Sequence, residues 1–222
     1  TEPSLNPKNE DVFLTEPSLN PKTNREKSAE ILFEKFCINS MAMKSTSILG
    51  LFYSGRTNGL LIESGEGVTH SIPIYEGYSL PHSIFRSDFG GRDITEYLIK
   101  LLAKKKHKFY TTADRQIVKN MKEKICYISP NDNHHNENNE KYVYQLPDGN
   151  NIELDYERYQ APEIMFQPKL MENKEKQSIL GLDELINKSI MTTDIDLRRT
   201  MWGNLVLCGG NTMFKGLKNR LN

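Results

Sequence analysis

A strand–turn–strand pattern lies between residues 60 and 73 and limits the possible folds more than any other segment. Strand-like runs at 60–62 and 68–72 flank Ser64-Gly65-Glu66-Gly67. Such runs around a glycine turn predict an antiparallel strand pair. Two glycines in so tight a turn let successive backbone amides point to one side, which forms a small concave site suited to phosphate. Pro73 is predicted to end the second strand or to place it at a sheet edge.

Helical spacing of apolar residues alternates with further strand patterns along the rest of the chain. Helices are predicted at about 24–37, 41–53, from residue 93, at 111–127, 180–190 and 194–201, and from about 212. Pro147-Asp148-Gly149 predicts a hairpin, and a buried strand at 205–207 runs into Gly209-Gly210. Strands and helices mix throughout, so the predicted class is α/β.

The composition excludes several classes of function. The 222 residues include 29 Lys and Arg against 29 Asp and Glu. This balance removes any global electrostatic attraction to nucleic acid or to an anionic membrane. No apolar run approaches the ~20 residues that a membrane-spanning helix needs. The 3 cysteines are isolated in the sequence, which argues against structural zinc and a disulfide framework and indicates a reducing, cytoplasmic compartment.

The glycine turn also carries the strongest candidate chemistry. Glu63 and Glu66 offer the oxygen ligands that a hard divalent cation prefers, and they would hold it through water. His70 leaves the turn on the second strand and would orient a water molecule. The alternative is an ordinary hairpin turn with solvated carboxylates, which the pattern alone favours.

Two further patterns are open to two interpretations. Gly209-Gly210 follows a predicted buried strand, where either a ligand or another backbone approaches closely or the chain simply turns into a helix. Lys119, Lys122 and Glu123 share one helix face, and a solvated face is the favoured interpretation.

The order of the motifs resembles the actin superfamily. Residues 65–78 look like the second phosphate loop of actins and the strand after it. The family's order continues through Gly91-Arg92-Asp93, Lys122-Glu123-Lys124, Leu146-Pro147-Asp148-Gly149, Phe166-Gln167-Pro168 and Gly209-Gly210-Asn211-Thr212-Met213. The resemblance covers about residues 9–222. Residues 81–84, 196–200 and 214–216 resemble the centractin branch more than conventional actin, and a divergent conventional actin is the alternative.

The resemblance implies an actin-like ATPase fold of the ribonuclease H-like type, as one lobe plus part of the other. Residues 1–8 recur unchanged at 15–22, so 1–22 would be a duplicated Pro- and Asn-rich start. Residues 23–53 would be the helical part of the first lobe. Residues 54–222 would be the second lobe, with a small subdomain around 91–170. Because both ends fall inside domains of the family, we expect the chain to be a fragment.

The resemblance also assigns roles to residues at matching positions. ATP or ADP with Mg²⁺ or Ca²⁺ would be the bound cofactor. His70 matches the histidine that helps to place the hydrolytic water, and Glu63 would hold the cation through water. The residues implied to bind the nucleotide are Gly65, Glu66, Gly67, Val68, Gly91, Lys122, Glu123, Gly209, Gly210, Asn211, Met213 and Phe214.

Two departures from the family pattern bear on catalysis. Actins have aspartates where this chain has Glu63 and Glu66, and the extra methylene moves each carboxylate outward by about one bond length. A displacement of ~1 Å can lower a catalytic rate ~100-fold. The family's water-positioning glutamine aligns with Thr46, which is too short to reach the same place. We therefore expect nucleotide binding with at most slow ATP hydrolysis.

The resemblance implies a cytoplasmic, cytoskeletal filament subunit of centractin type. Its partners would be other actin-like subunits or dynactin-type components, without nucleic acid and without membrane insertion. The charged segment 169–178 aligns with a filament contact of the family, and charges fit poorly into an interface core. The alternatives are a nucleotide-free actin-like interaction module and, as the least favoured, a sugar-kinase-like enzyme.

Overall fold

The structure is a computed structural model of the chain, and it describes residues 10–130, 141–171 and 179–221. The first copy of the duplicated start and residues 172–178 of the charged segment therefore lie outside the described residues. The elements are β1 (Asp11–Glu16), α1 (Lys22–Glu30), β2 (Ser40–Ser45), α2 (Thr46–Tyr53), β3 (Gly59–Ser64), β4 (Thr69–Tyr75), β5 (Tyr78–Ser79), β6 (Phe85–Ser87), α3 (Gly91–Lys104), α4 (Thr112–Ile125), β7 (Tyr142–Gln145), β8 (Asn151–Leu154), α5 (Glu157–Glu163), α6 (Leu182–Thr192), α7 (Ile195–Gly203), β9 (Leu205–Cys208) and α8 (Leu217–Leu221).

The central sheet has the strand order β5–β4–β3–β9, and β6 also pairs with β4. The predicted strand pair is confirmed: β3 and β4 are antiparallel, with Glu63 opposite His70 and Ser64 opposite Thr69. Strand β9 pairs with β3 in parallel. A parallel pair needs a crossover, and here the crossover contains most of the helices.

Both faces of β3 are buried. Successive side chains of a strand point to opposite faces, so neighbouring residues of β3 enter two different apolar clusters. Leu60 and Ile62 join the larger apolar cluster, which holds α3, α4 and α6 against the sheet. Leu61 joins a smaller cluster with residues of α2 and β4. Each of these three side chains is fully buried, which contributes about 1.5–3 kcal/mol per residue to folding.

The prediction for Pro73 is wrong. Pro73 lies inside β4 and is paired with Leu60 of β3. Its carbonyl accepts a hydrogen bond from the amide of Leu80 on the other side of the strand. The ring nitrogen faces that same side, where β6 pairs with residues 69–71 and β5 with residues 74–75. Proline is tolerated there because it removes no hydrogen bond from the β3–β4 ladder.

The first residues of the described chain form a small parallel unit, in which β1 and β2 pair from Asp11–Ser40 to Glu16–Ser45. The predicted helix over 41–53 is therefore wrong in its first half. Met41 and Met43 are half-buried at alternate positions of β2, and the strand pairing overrides the helical spacing. The helix predicted at 24–37 is α1, which begins at Lys22 and continues as a π-helical turn to Lys35.

The remaining helices follow the predicted apolar stripes. The stripe of α3 is buried, and the carboxylate of Asp93 accepts a hydrogen bond from the amide of Gly90 at the start of that helix. The β7–β8 hairpin is confirmed. The helix predicted from residue 212 is instead a 3₁₀ turn at Gly210–Met213 followed by α8. In the described ranges, none of the helices combines the length and apolar character required to span a bilayer.

Candidate functional site

The glycine turn between β3 and β4 rests on the first turn of α3. The amide of Gly65 donates to the carbonyl of Val68 at 3.0 Å and closes the turn. The carbonyls of Gly65 and Glu66 accept hydrogen bonds from the amides of Gly91 and Arg92, at 2.9 and 2.8 Å. A side chain at Gly90 would collide with the Glu66 carbonyl, so this close approach requires glycine.

The turn presents three successive amides. Among the residues that the structure describes, no acceptor bonds to the amides of Glu66, Gly67 and Val68. The carbonyls of the same turn are already engaged by α3. Such a turn can accommodate an anion, since adjacent unpaired amides favour a phosphate or carboxylate oxygen.

A buried polar network ties the turn to the segment after β9. Asn211 donates from Nδ2 to the carbonyl of Gly65 at 2.7 Å and to Oγ of Ser64 at 3.1 Å. The Ser64 hydroxyl lies 2.8 Å from Oγ1 of Thr69, which donates to the Phe89 carbonyl. Because Thr69 uses its proton on Phe89, Ser64 donates to Thr69 and accepts from Asn211.

Gly209 explains how the two segments come so close. Its φ of 94° lies in the left-handed region, and an added Cβ would collide with the backbone carbonyl of Ser64. Of the two interpretations of Gly209-Gly210, the close approach of another backbone is therefore confirmed.

Lys122 of α4 points at the start of α3. Its Nζ donates to the carbonyl of Gly91 at 2.9 Å, and the residue is only 3% exposed. The solvated-face interpretation is thus wrong for Lys122. Burial lowers the pKa of its ammonium below the usual range, although the carboxylates of Glu66 and Glu123 act in the opposite direction. Lys119, one turn earlier, is 3.7 Å from a carboxylate oxygen of Glu66.

Gly91 lies where side chains from the glycine turn, from α4 and from the segment after β9 meet. A Cβ there would lie 2.8 Å from Oδ1 of Asn211, 2.9 Å from Oε2 of Glu66 and 3.1 Å from Nζ of Lys122. All three atoms are side-chain ends. The site thus converges on a position where only glycine leaves these groups in place.

A cavity of about 930 Å³ opens beside the turn, within the ~300–1,000 Å³ usual for small-molecule sites. The eight predicted nucleotide-binding residues that line it are Gly65, Glu66, Lys122, Glu123, Gly210, Asn211, Met213 and Phe214. The other four of the twelve, Gly67, Val68, Gly91 and Gly209, lie in the turn or behind the lining.

The cavity also has walls that the sequence analysis missed. Tyr127, Tyr142 and Arg158 line it, and the guanidinium of Arg158 lies 4.8 Å from the ring centre of Tyr142 and 5.2 Å from that of Tyr127. Cys126 lines it as well, and burial raises the pKa of its thiol to about 12. No local pattern identifies these residues, because α5 and β7 reach the cavity only through the tertiary fold.

Glu63 and His70 form a separate cluster on the neighbouring face. They are opposite each other in the β3–β4 register, and neither belongs to the cavity lining. Burial lowers the pKa of the His70 imidazole, and Arg86 adds to this effect, whereas the carboxylates of Glu63 and Asp88 oppose it. Oγ1 of Thr46 lies 3.5 Å from both carboxylate oxygens of Glu63.

The donors near the turn bear on whether a divalent cation fits. Across residues 10–130, 141–171 and 179–221, no group of three or more His, Cys, Asp or Glu side chains is arranged to hold a metal ion. Within those residues, Glu63 is therefore not part of a cluster of three such ligands. Mg²⁺ or Ca²⁺ fits such a site when phosphates and water supply most of its ligands, which is how Mg²⁺ is usually bound beside nucleotides.

These features define the class of the protein: its mixed sheet and covering helices form one lobe of an actin-like α/β fold. The family model described as Actin matches residues 2–222. The match covers nearly the whole chain, and the chain belongs to the actin family.

Proposed function

We propose that this protein binds an adenine nucleotide in the cavity beside the glycine turn. The observation that carries the proposal is the convergence of eight predicted residues from three separate segments on one cavity. The three amides without acceptors would receive phosphate oxygens. Lys119 and Lys122 would add positive charge on one side of those phosphates. Charge-assisted contacts of this kind do not depend on the identity of the base.

The part of the cavity lining that is distant in sequence from the turn would contact the nucleoside. Glu123, Met213 and Phe214 belong to this part. An apolar and aromatic lining with few polar groups is the usual environment of a purine. Gly67 and Val68 would bind phosphate through their backbone amides. Gly91 and Gly209 would act indirectly, because they allow the turn and its neighbours to approach each other.

The bound cation would supply charge neutralisation for the phosphates. Glu63 would hold its hydration shell. His70, whose pKa is lowered by burial, would accept a hydrogen bond from a water molecule near the terminal phosphate. The hydroxyl of Thr46 contacts Glu63. Its short side chain would not position that water as the family's glutamine does. We therefore propose at most slow ATP hydrolysis.

The cellular role that we propose is a cytoskeletal filament subunit of centractin type. Other actin-like subunits or dynactin-type components would be its partners in the cytoplasm. The proposed division into a start (1–22), a part of the first lobe (23–53) and a second lobe (54–222) follows the same resemblance. The second candidate is a nucleotide-free interaction module, which is favoured by the engagement of the Glu63 carboxylate with neighbouring hydroxyls.

A fluorescent ATP analogue titrated against the 222-residue chain, with Mg²⁺ or with EDTA, tests the proposal. We expect saturable binding that is tighter with Mg²⁺. Lys119→Ala should weaken binding roughly 10-fold, since a hydrogen bond to a charged group contributes about 1.5–3 kcal/mol and this lysine is partly exposed. Lys100→Ala, on the exposed side of α3, is the matched control and should bind normally.

Two outcomes contradict the proposal. Absence of saturable binding at millimolar analogue refutes nucleotide binding and leaves the interaction module. Equal weakening by Lys119→Ala and Lys100→Ala places the ligand elsewhere. Sedimentation of the same samples tests the filament role, which fails if the chain stays monomeric both with and without ATP.

A further inference from the structure

A chain of hydroxyl groups leads from the turn after β1 to the carboxylate of Glu63. Oγ of Ser18 lies 3.1 Å from Oγ of Ser45 and 2.7 Å from Oγ of Ser47. Oγ of Ser47 in turn lies 3.3 Å from Oε2 of Glu63. These hydroxyl contacts join the turn after β1 to β2, α2 and β3. The contacting residues are between 16 and 29 positions apart in the sequence.

The carboxylate determines the direction of these hydrogen bonds. An ionised carboxylate only accepts, and each hydroxyl has one proton. Ser47 therefore donates to Glu63 and accepts from Ser18, and Ser18 accepts from Ser45. Every hydroxyl in the chain donates toward Glu63, and hydrogen bonds aligned in this way strengthen one another.

The Glu63 carboxylate contacts these hydroxyls and forms no hydrogen bond with His70 in the described part of the chain. The two residues are paired across β3 and β4. Even so, no hydrogen bond or ion pair joins them in the described part of the chain, whereas Thr46 and Ser47 both contact the carboxylate. Ser47 is 1% exposed, so its hydroxyl has a fixed position in the α2 N-terminal turn.

We propose that Ser18 and Ser47 are positioning residues that hold the Glu63 carboxylate in one orientation and so set the affinity of the site for a divalent cation. This inference rests on the proposed nucleotide binding. A glutamate has one more rotatable bond than an aspartate, so its carboxylate must be immobilised before it can order the hydration shell of a cation. The hydroxyl chain provides that immobilisation.

The readout is the ratio of the ATP-analogue dissociation constants measured in EDTA and in Mg²⁺, which isolates the cation's contribution. Ser47→Ala and Ser18→Ala should each lower this ratio about 5- to 10-fold, while the dissociation constant in EDTA stays unchanged. Ser18→Thr keeps the hydroxyl and should restore the ratio. Ser54→Ala removes a hydroxyl that donates to the Leu51 carbonyl at the other end of α2, and it should behave as wild type.

The decisive arm is the Glu63→Gln background, in which Ser47→Ala should have no further effect on the ratio. A ratio that Ser47→Ala and Ser18→Ala leave unchanged, in a wild-type chain that binds ATP with Mg²⁺, overturns this inference and leaves the proposed function intact. A wild-type chain without nucleotide binding overturns both. Because Ser18 is only half-buried, its two variants decide the question if Ser47→Ala does not fold.

Discussion

Asn211 is the side chain whose removal tests most directly how the glycine turn is held. It is 5% exposed and donates both amide protons, to the Gly65 carbonyl at 2.7 Å and to the Ser64 hydroxyl at 3.1 Å. Substitution by alanine removes both hydrogen bonds. Neither acceptor is then left alone, because Gly65 still accepts from the amide of Gly91 and Ser64 still contacts Thr69.

The cost of Asn211→Ala follows from this arrangement. Two net hydrogen bonds contribute about 1–3 kcal/mol, and no further penalty for orphaned acceptors applies. Asn211→Asp should cost more at pH 7, because it places a carboxylate against the Gly65 carbonyl. Its folded-state pKa would be raised, so the folded form binds the extra proton, and the difference between the two variants should narrow from pH 7 to pH 5.

Urea unfolding followed by circular dichroism and by fluorescence of the single tryptophan, Trp202, measures these free energies. Asn204→Ala is the control, since it removes one half-buried hydrogen bond to the Thr200 carbonyl and should cost about 0.5–1.5 kcal/mol. The reasoning fails if Asn211→Ala unfolds within about 0.5 kcal/mol of wild type, or if Asn211→Asp is as stable as Asn211→Ala at pH 7.

Two further predictions concern titratable groups. Burial lowers the folded-state pKa of His70, so the unfolded chain binds the proton more readily. The free energy of unfolding should therefore fall as pH drops below about 6.5. His70→Gln should make that fall smaller when the free energy of unfolding is measured at a series of acidic pH values. Cys126, with its pKa raised to about 12, should resist iodoacetamide at pH 8 while exposed Cys37 reacts; mass spectrometry showing early alkylation of Cys126 in folded protein would contradict the burial argument.

The parts of the fold that local patterns determine could be predicted from the sequence. The apolar stripe of α3 and the β3–β4 pair are examples, because each buries a continuous face. The strand at Ser40–Ser45 could not be predicted, since its partner β1 is distant in sequence and its methionines also fit helical spacing. The place of Pro73 inside a strand could not be predicted either, because the register that accommodates it depends on two short neighbouring strands.

The candidate site likewise has some residues that the sequence predicts and others that it does not. Glycine pairs mark close backbone approach, so the turn and Gly209-Gly210 could be recognised from the sequence. The burial of Lys122 could not be predicted, because its helix face is polar. The side chain is buried only because α3 packs against it and the carbonyl of Gly91 accepts its hydrogen bond. Tyr142 and Arg158 reach the cavity from elements whose relative placement no local pattern encodes.

The parallel pairing of β3 with β9 has a consequence for the order in which the chain acquires structure during translation. Strand β9 lies late in the chain, and the hydrogen bond between Asn211 and Gly65 spans 146 residues. At an elongation rate of about 5–20 residues per second, roughly 7–30 s separate the synthesis of the two residues. The β3–β4 hairpin and its hydrogen bonds to the start of α3 can form early in that interval, whereas the contact with Asn211 can form only after β9 has left the ribosome. For that interval, nascent chains therefore carry the glycine turn without the buried side chain that later ties it to the segment after β9.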